Sequence, residues 1–142
     1  MELQPNFDTL YEPKSLNDIV FTRSVQRNHL RDHVTGRSGF PDGGKNGILL
    51  VGDTGSGKST LAKLLPDLIE VARGGVEAYP THHQITSANG GVALLEQIEQ
   101  QIKLAVLGQE FHYIVLDEVD LMSGTAMNKL KSTMNIAYKS CI

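Results

Sequence analysis

Short apolar runs alternate with helical apolar patterns along the chain, separated by glycine, proline and polar residues. The continuous runs Ile48–Val51 and Tyr113–Leu116 predict strands that are buried on both faces, and His83–Ser87 is a third candidate strand. Apolar spacing of three and four predicts four helices, which cover Val25–Val34 (preceded by Ser24), Lys58 to about Ala72, Val92–Leu107 and Thr125 to about Tyr138. This alternation predicts an α/β fold with a parallel sheet and flanking helices.

Proline and glycine set the expected boundaries of these elements. Pro5 and Pro13 limit helix formation in residues 1–22, which we expect to be irregular. Gly36–Asn46 is rich in glycine and predicts a loop. Pro66 should kink the second helix or end it early, and Gly108 is placed to end the third.

The composition bounds the class of protein. The chain has 142 residues, of which 40% are hydrophobic and 20% charged, as expected for one soluble domain. Cys141 is the single cysteine, so an intramolecular disulfide is excluded. The sequence shows no signal peptide and no membrane-spanning run, which predicts a cytoplasmic protein, or a nuclear one in a eukaryote. A net charge of −3 argues against broad electrostatic binding to nucleic acid but permits a local basic face.

A complete Walker A motif, Gly52-Asp53-Thr54-Gly55-Ser56-Gly57-Lys58-Ser59, lies between the first predicted strand and the second predicted helix. Its glycines let backbone amides approach a phosphate chain, and the helix N-terminus adds positive potential. Lys58 should reach the β- and γ-phosphates, and the Ser59 hydroxyl should hold Mg²⁺. The motif and its first helical turn therefore predict an ATP-binding set: Gly52, Asp53, Thr54, Gly55, Ser56, Gly57, Lys58, Ser59 and Thr60.

Two acidic residues follow the strand Tyr113–Leu116. Asp117 should lie at the carboxyl edge of the sheet, beside the P-loop, as the second anchor for the metal. Glu118 is the candidate base that polarises water, so Glu118 and Lys58 form the predicted catalytic pair. The acidic pair favours an ATPase over a kinase. Asp120 could be a loop carboxylate or a helix-cap residue.

The remaining candidate residues carry less chemistry. The string Asn128-Lys129-Leu130-Lys131 lacks the aspartate of a guanine-specific Asn-Lys-x-Asp motif, so adenine is the better prediction. His82, His83 and His112 have no metal-binding spacing, and we expect ordinary surface or strand-end roles for them. Cys141 is interpreted as a small buried apolar residue.

Three segments make the whole chain resemble the N-terminal part of a clamp-loader ATPase, of the replication factor C and DNA polymerase III gamma-subunit branch of the AAA+ family. Residues 10–20 are similar to the family's Tyr-Arg-Pro-Lys-x-Leu-x-Asp-Ile-Val box. Residues 116–122, with the following Leu130-Lys131-Ser132-Thr133-Met134, resemble its Walker B stretch and the helix after it. Residues 85–92 stand where the family has Leu-Asn-Ala-Ser-Asp.

The resemblance implies a RecA-like P-loop core over residues 23–142, with residues 1–22 as an adenine-pocket segment of the same domain. It implies adenine contacts from Tyr11, Pro13, Ile19 and Val20. It also implies contacts between primer-template DNA and Lys131, which Asn128 could join. The implied partners are other AAA+ subunits in a ring, a sliding clamp and DNA, with ATP and Mg²⁺ as cofactors and DNA replication as the process.

The family's sensor 1 strand, arginine finger and helical lid would follow residue 142. The resemblance therefore predicts a fragment that is truncated before the sensor 1 strand, with an incomplete sheet and little turnover of its own. Two alternatives stay open. One is another AAA+ machine, such as a helicase loader or a phage or plasmid replication ATPase. The other is a non-hydrolysing interaction module in which ATP only stabilises a binding surface.

Overall fold

The fold is built on a three-stranded parallel sheet with helices on both faces, which is the architecture of a RecA-like P-loop NTPase core. The structure, a computed structural model, describes residues 12–44, 46–135 and 140–142. The strands are β1 (Thr81–Gln84), β2 (His112–Asp117) and β3 (Ser140–Cys141), in the order β1-β2-β3. The predicted fold class is confirmed.

In these described ranges, four helices surround the sheet: α1 (Ser24–Val34), α2 (Lys58–Ala72), α3 (Val92–Gln101) and α4 (Gly124–Thr133). Short 3-10 turns cover Leu16–Asp18 and Val119–Leu121. None of the helices in the described part of the chain is long and apolar enough to cross a membrane.

Two apolar cores lie on opposite faces of the sheet. On one face, α1 and α2 pack against β2 and β3 through Leu30, Val34, Leu61, Leu65, Ile69, Tyr113 and Cys141. On the other, α3 and α4 pack against β1 and β2 through Ile85, Leu95, Ile98, Ile114, Ala126 and Leu130. Side chains alternate between the faces of β2, so Tyr113 and Ile114 enter different cores.

The prediction that Ile48–Val51 forms a strand buried on both faces is wrong. Leu49 is 64% exposed and Val51 85% exposed. The backbone near this run pairs with Ile142 through two hydrogen bonds, from Ile48 N to Ile142 O (2.8 Å) and from Ile142 N to Asn46 O (2.8 Å). No strand lies alongside Leu49–Val51 in the ranges that the structure describes, so these residues form no ladder.

Other predicted boundaries also move. β1 covers Thr81–Gln84 rather than His83–Ser87. The predicted bounds of α2, Lys58 to about Ala72, are confirmed, and the helix continues through Pro66, so the alternative of an early end at Pro66 is wrong. α3 ends at Gln101, six residues short of the prediction. Leu104 and Leu107, which would have extended its apolar face, are exposed and pack in neither core. The prediction that Gly108 ends this helix is therefore wrong.

The last helix begins close to the predicted residue. The Ser123 hydroxyl caps α4 by accepting a hydrogen bond from Ala126 N (3.2 Å), which places the first turn at Gly124. α4 ends at Thr133, five residues before the predicted end at Tyr138. Tyr138 itself lies outside the described residues.

Candidate functional site

The glycine-rich loop lies between Ile48–Val51 and the N-terminus of α2. Gly55 and Gly57 have φ values of 78° and 83°, a left-handed conformation that favours glycine. Gly57 is the N-cap of α2, so the unpaired amides of the first helical turn open onto the loop. Loop and helix together form an anion-binding cradle of backbone N–H groups.

The Lys58 ammonium closes this loop. Its Nζ donates to Gly52 O (2.8 Å), Asp53 O (2.7 Å) and Ser56 Oγ (3.4 Å). The positive charge of Lys58 is therefore held inside the same cradle as the amides.

Ser59 and Asp117 meet across the gap between α2 and β2. The Ser59 hydroxyl donates to Asp117 Oδ1 at 3.0 Å, and the backbone N–H of Glu118 donates to the same oxygen at 3.0 Å. The two residues are 58 positions apart in sequence and come together because a helix start and a strand end share one edge of the sheet. A hydroxyl and a carboxylate are oxygen ligands of the kind that Mg²⁺ prefers, so the pair fits this ion.

Glu118 follows Asp117 in an unusual conformation. Among the residues that the structure describes, it is the only non-glycine residue with positive φ (58°). This left-handed geometry costs about 1–2 kcal/mol for a residue with a side chain. Its carbonyl accepts from Leu121 N (3.0 Å) in the following 3-10 turn, and its side chain is exposed at the sheet edge. Strain of this kind concentrates at functional sites.

These groups line a cleft of about 730 Å³, within the size range of small-molecule sites. Its polar wall is formed by Thr54, Gly55, Lys58, Ser59, Asp117, Glu118 and Asp120. Its apolar wall includes Val51, Leu116 and Met127. A nucleotide phosphate chain with a bound divalent cation matches the chemistry of the polar wall.

The predicted adenine contacts are not brought to this cleft. Pro13, Ile19 and Val20 are absent from its lining. Ile19 packs against the core of α1 and α2, and Val20 is 95% exposed. Tyr11 lies outside the described residues. The adenine pocket stays a prediction.

The other predicted residues lie as follows. Thr60 is exposed on the first turn of α2, and Asn128 and Lys131 are exposed on α4. Burial and the neighbouring His82 lower the pKa of His83, and burial raises the pKa of the Cys141 thiol.

Gln84 was not among the residues predicted for this edge of the sheet. It pairs in register with Asp117, so it shares the carboxyl edge of the sheet with the acidic pair. Asn89 holds the turn beyond it: Asn89 Nδ2 donates to Gln84 O (3.0 Å), and Asn89 Oδ1 accepts from Thr86 N (2.7 Å). Because the carboxyl ends of parallel strands share one edge of the sheet, a correct prediction of the end of β1 would have placed Gln84 beside Asp117.

Comparison with known families agrees with this geometry. Residues 42–142 match the family model described as AAA domain. The chain belongs to the AAA domain family. No curated protein matches the sequence. Membership indicates an ATP-binding ATPase, which is consistent with the Lys58 loop and the Ser59–Asp117 pair of this AAA domain.

Proposed function

We propose that this AAA domain binds ATP with Mg²⁺ in the cleft and hydrolyses it to ADP. The observation that carries the proposal is the 3.0 Å bond between Ser59 and Asp117, since it joins the P-loop helix to the acidic strand end. Ser59 and Asp117 would hold the ion, which supplies charge neutralisation on the phosphate oxygens when bound.

The chain's own residues then divide the work. The loop amides and Lys58 orient the phosphates, with Lys58 exchanging its carbonyl partners for phosphate oxygens. Glu118 accepts a proton from the attacking water while the water oxygen forms a bond to the γ-phosphorus. The bond between the γ-phosphorus and the bridging oxygen breaks, and ADP leaves with the electron pair.

We further propose that the domain acts in DNA replication as a clamp-loader-like ATPase. The support is the resemblance of residues 10–20 and of the Walker B region with α4. Tyr11, Pro13, Ile19 and Val20 would contact adenine, while Asn128 and Lys131 would contact DNA phosphates. Other AAA+ subunits and a sliding clamp are the partners that this role requires.

Equilibrium ATP binding and single-turnover hydrolysis test the ATPase. Lys58→Ala should lose ATP binding, whereas Lys63→Ala, which removes an exposed lysine from the same helix, should bind like the wild type. Glu118→Gln should keep ATP binding and form ADP at least about 100-fold more slowly, as expected on loss of a general base. Normal ATP binding by Lys58→Ala would refute the site, and retention of unhydrolysed ATP by the wild type would refute the hydrolytic role.

The replication role has a separate test. Primer-template DNA should increase the hydrolysis rate, and Lys131→Gln should reduce that increase. Lys103→Gln, an exposed lysine after α3, is the matched control. Equal stimulation of both variants would argue against a DNA contact on α4.

A further inference from the structure

Arginine is concentrated in one short part of the chain. Four of the five arginines lie between residues 23 and 37, namely Arg23, Arg27, Arg31 and Arg37. The fifth, Arg73, forms ion pairs with Asp42 (3.5 Å) and Glu110 (3.6 Å). The segment around α1 is therefore distinct from the rest of a chain whose net charge is −3. It also precedes residues 42–142, so the AAA family match does not account for it.

Three of these arginines form a line. Arg27 and Arg31 lie on α1, and Arg23 is its N-cap, so successive members are four residues and about 6 Å apart along one side of the helix. We name Arg23, Arg27 and Arg31 the arginine flank. Arg23 and Arg31 are exposed and Arg27 is half-buried, while Leu30 and Val34 of α1 are buried in the core that α1 shares with α2.

No carboxylate in the described part of the chain forms an ion pair with the arginine flank. Within residues 12–44, 46–135 and 140–142, the ion pairs involve Arg73 and Lys129, and no carboxylate pairs with the flank. The Nε of Arg27 is buried without a hydrogen-bond partner in the same ranges. Asp32 is the sole acidic residue between positions 23 and 37, and its position on α1 is about 140° around the helix from Arg27. Among the described residues, the positive charge of the flank is therefore not neutralised by an ion pair.

The surroundings of the arginine flank favour one class of anion. Ser24 and Asn28 lie next to it on the exposed side of α1, and such residues join arginine in phosphate contacts of protein–nucleic acid interfaces. A membrane surface would require an exposed apolar stripe, but Val25 is the one exposed apolar residue of α1, since Leu30 and Val34 are buried. The planar guanidinium also binds phosphate in bidentate fashion, which lysine does not.

We propose that the arginine flank binds the phosphate backbone of a nucleic acid. This surface lies on the opposite side of the sheet from Asn128 and Lys131, and it requires neither ATP nor hydrolysis. Its contacts are to phosphate, so the binding should be strongly dependent on salt and weakly dependent on sequence.

Fluorescence anisotropy with a labelled DNA duplex, measured without nucleotide, tests the proposal. If the flank neutralises three phosphates, the affinity of the wild type should fall about 40-fold between 50 and 200 mM salt. Arg27→Gln with Arg31→Gln should lower the slope of log affinity against log salt by about 1.8. The matched control is Lys63→Gln with Lys103→Gln, which removes the same charge from other exposed sites and should leave the slope unchanged.

Circular dichroism checks that both double variants keep their helices, and the single Arg31→Gln variant, at an exposed position, provides a fold-preserving test with a slope change of about 0.9. Equal loss of slope in the arginine and lysine variants would overturn the proposal, as would a wild type that binds no DNA. Tighter binding to anionic vesicles or to polyglutamate than to DNA would also overturn it. Hydrolysis is not measured, so failure here leaves the ATPase assay of Lys58 and Glu118 unaffected.

Discussion

Glu70 is a buried carboxylate at the end of α2, 4% exposed, and it is held by two donors. The hydroxyl of Tyr113 on β2 donates to Glu70 Oε2 at 2.6 Å, and the backbone N–H of Glu110 donates to Oε1 at 2.9 Å. Tyr113→Phe removes one of the two donors while keeping the aromatic ring. We predict that this substitution destabilises the fold through the loss of one buried hydrogen bond.

The expected magnitude follows from the charge and burial of Glu70. A hydrogen bond to a charged group contributes about 1.5–3 kcal/mol, and a buried carboxylate oxygen without its donor keeps its full desolvation cost. Tyr113 is 2% exposed, so water does not replace the lost hydroxyl without rearrangement of the core. We therefore expect the free energy of unfolding to fall by about 2 kcal/mol.

Urea unfolding followed by far-ultraviolet circular dichroism measures this change, and the chain offers a matched control. Tyr79 is 63% exposed, and its hydroxyl donates to Glu77 Oε2 at 3.5 Å. Tyr79→Phe removes the same atoms and should change the free energy of unfolding by less than about 0.5 kcal/mol. Equal effects of the two substitutions would refute the reasoning that burial of the Glu70 bond decides its value.

The pH dependence gives a second readout of the same bond. Burial, and then the hydrogen bond to Glu70, raise the pKa of Tyr113 above its ordinary value of 10.0. The folded state therefore holds the phenol proton more tightly than the unfolded state. The protonated phenol of Tyr113 therefore contributes a stabilisation of the folded state that is fully present below pH 10 and is lost as the pH rises further. The stability of the wild type should decline above that pH more steeply than that of Tyr113→Phe.

Two further predictions concern the P-loop and the packing of α3 on α4. Gly57→Ala should lower ATP affinity and reduce the free energy of unfolding by about 1–2 kcal/mol because φ is 83° there. The control is Gly124→Ala, where an added Cβ meets no atom within 4 Å. In the same ATP titration and urea unfolding, the control should leave ATP affinity unchanged and change the free energy of unfolding by between zero and a gain of about 1 kcal/mol. The hydrogen bond from Lys129 (2.8 Å) lowers the pKa of Glu99 below its ordinary value of 4.5. The ionised Glu99 therefore stabilises the fold above pH 4.5, and this stabilisation is lost as the pH falls below that value. Glu99→Gln should lower the free energy of unfolding by less than about 1 kcal/mol at pH 7 and weaken its decrease at acid pH. An unchanged decrease of the free energy of unfolding below pH 4.5 would contradict the prediction.

The sequence predicted the chemistry of the phosphate side of the site because those residues carry their own conformational information. Gly55 and Gly57 adopt the left-handed backbone that glycine permits most readily. Ser59 and Asp117 end up 3.0 Å apart because the start of α2 and the end of β2 share one edge of the sheet. A local motif and one topological rule were therefore sufficient.

The burial of apolar side chains was harder to predict, because it depends on packing partners that are distant in sequence. The run Ile48–Val51 has the composition of a buried strand, yet its described pairing partner is Ile142, 94 residues after Ile48, and the pairing stops before Leu49. Leu104 and Leu107 continue the helical apolar spacing of α3 but are 68% and 88% exposed. Apolar spacing records what an element can bury, and only the tertiary packing determines what it does bury.

The position of α2 on β2 links the stability of the fold to the geometry of the site. The two elements run antiparallel, with Ser59 bonded to Asp117 at one end and Tyr113 bonded to Glu70 at the other. Eleven helical residues span about 16 Å and four strand residues about 13 Å, so the two bonds fix similar lengths of each element. A shift of α2 by one residue would move Ser59 about 1.5 Å, enough to break its 3.0 Å bond to Asp117. The buried bond of Glu70 therefore resists a displacement that would separate the two candidate magnesium ligands.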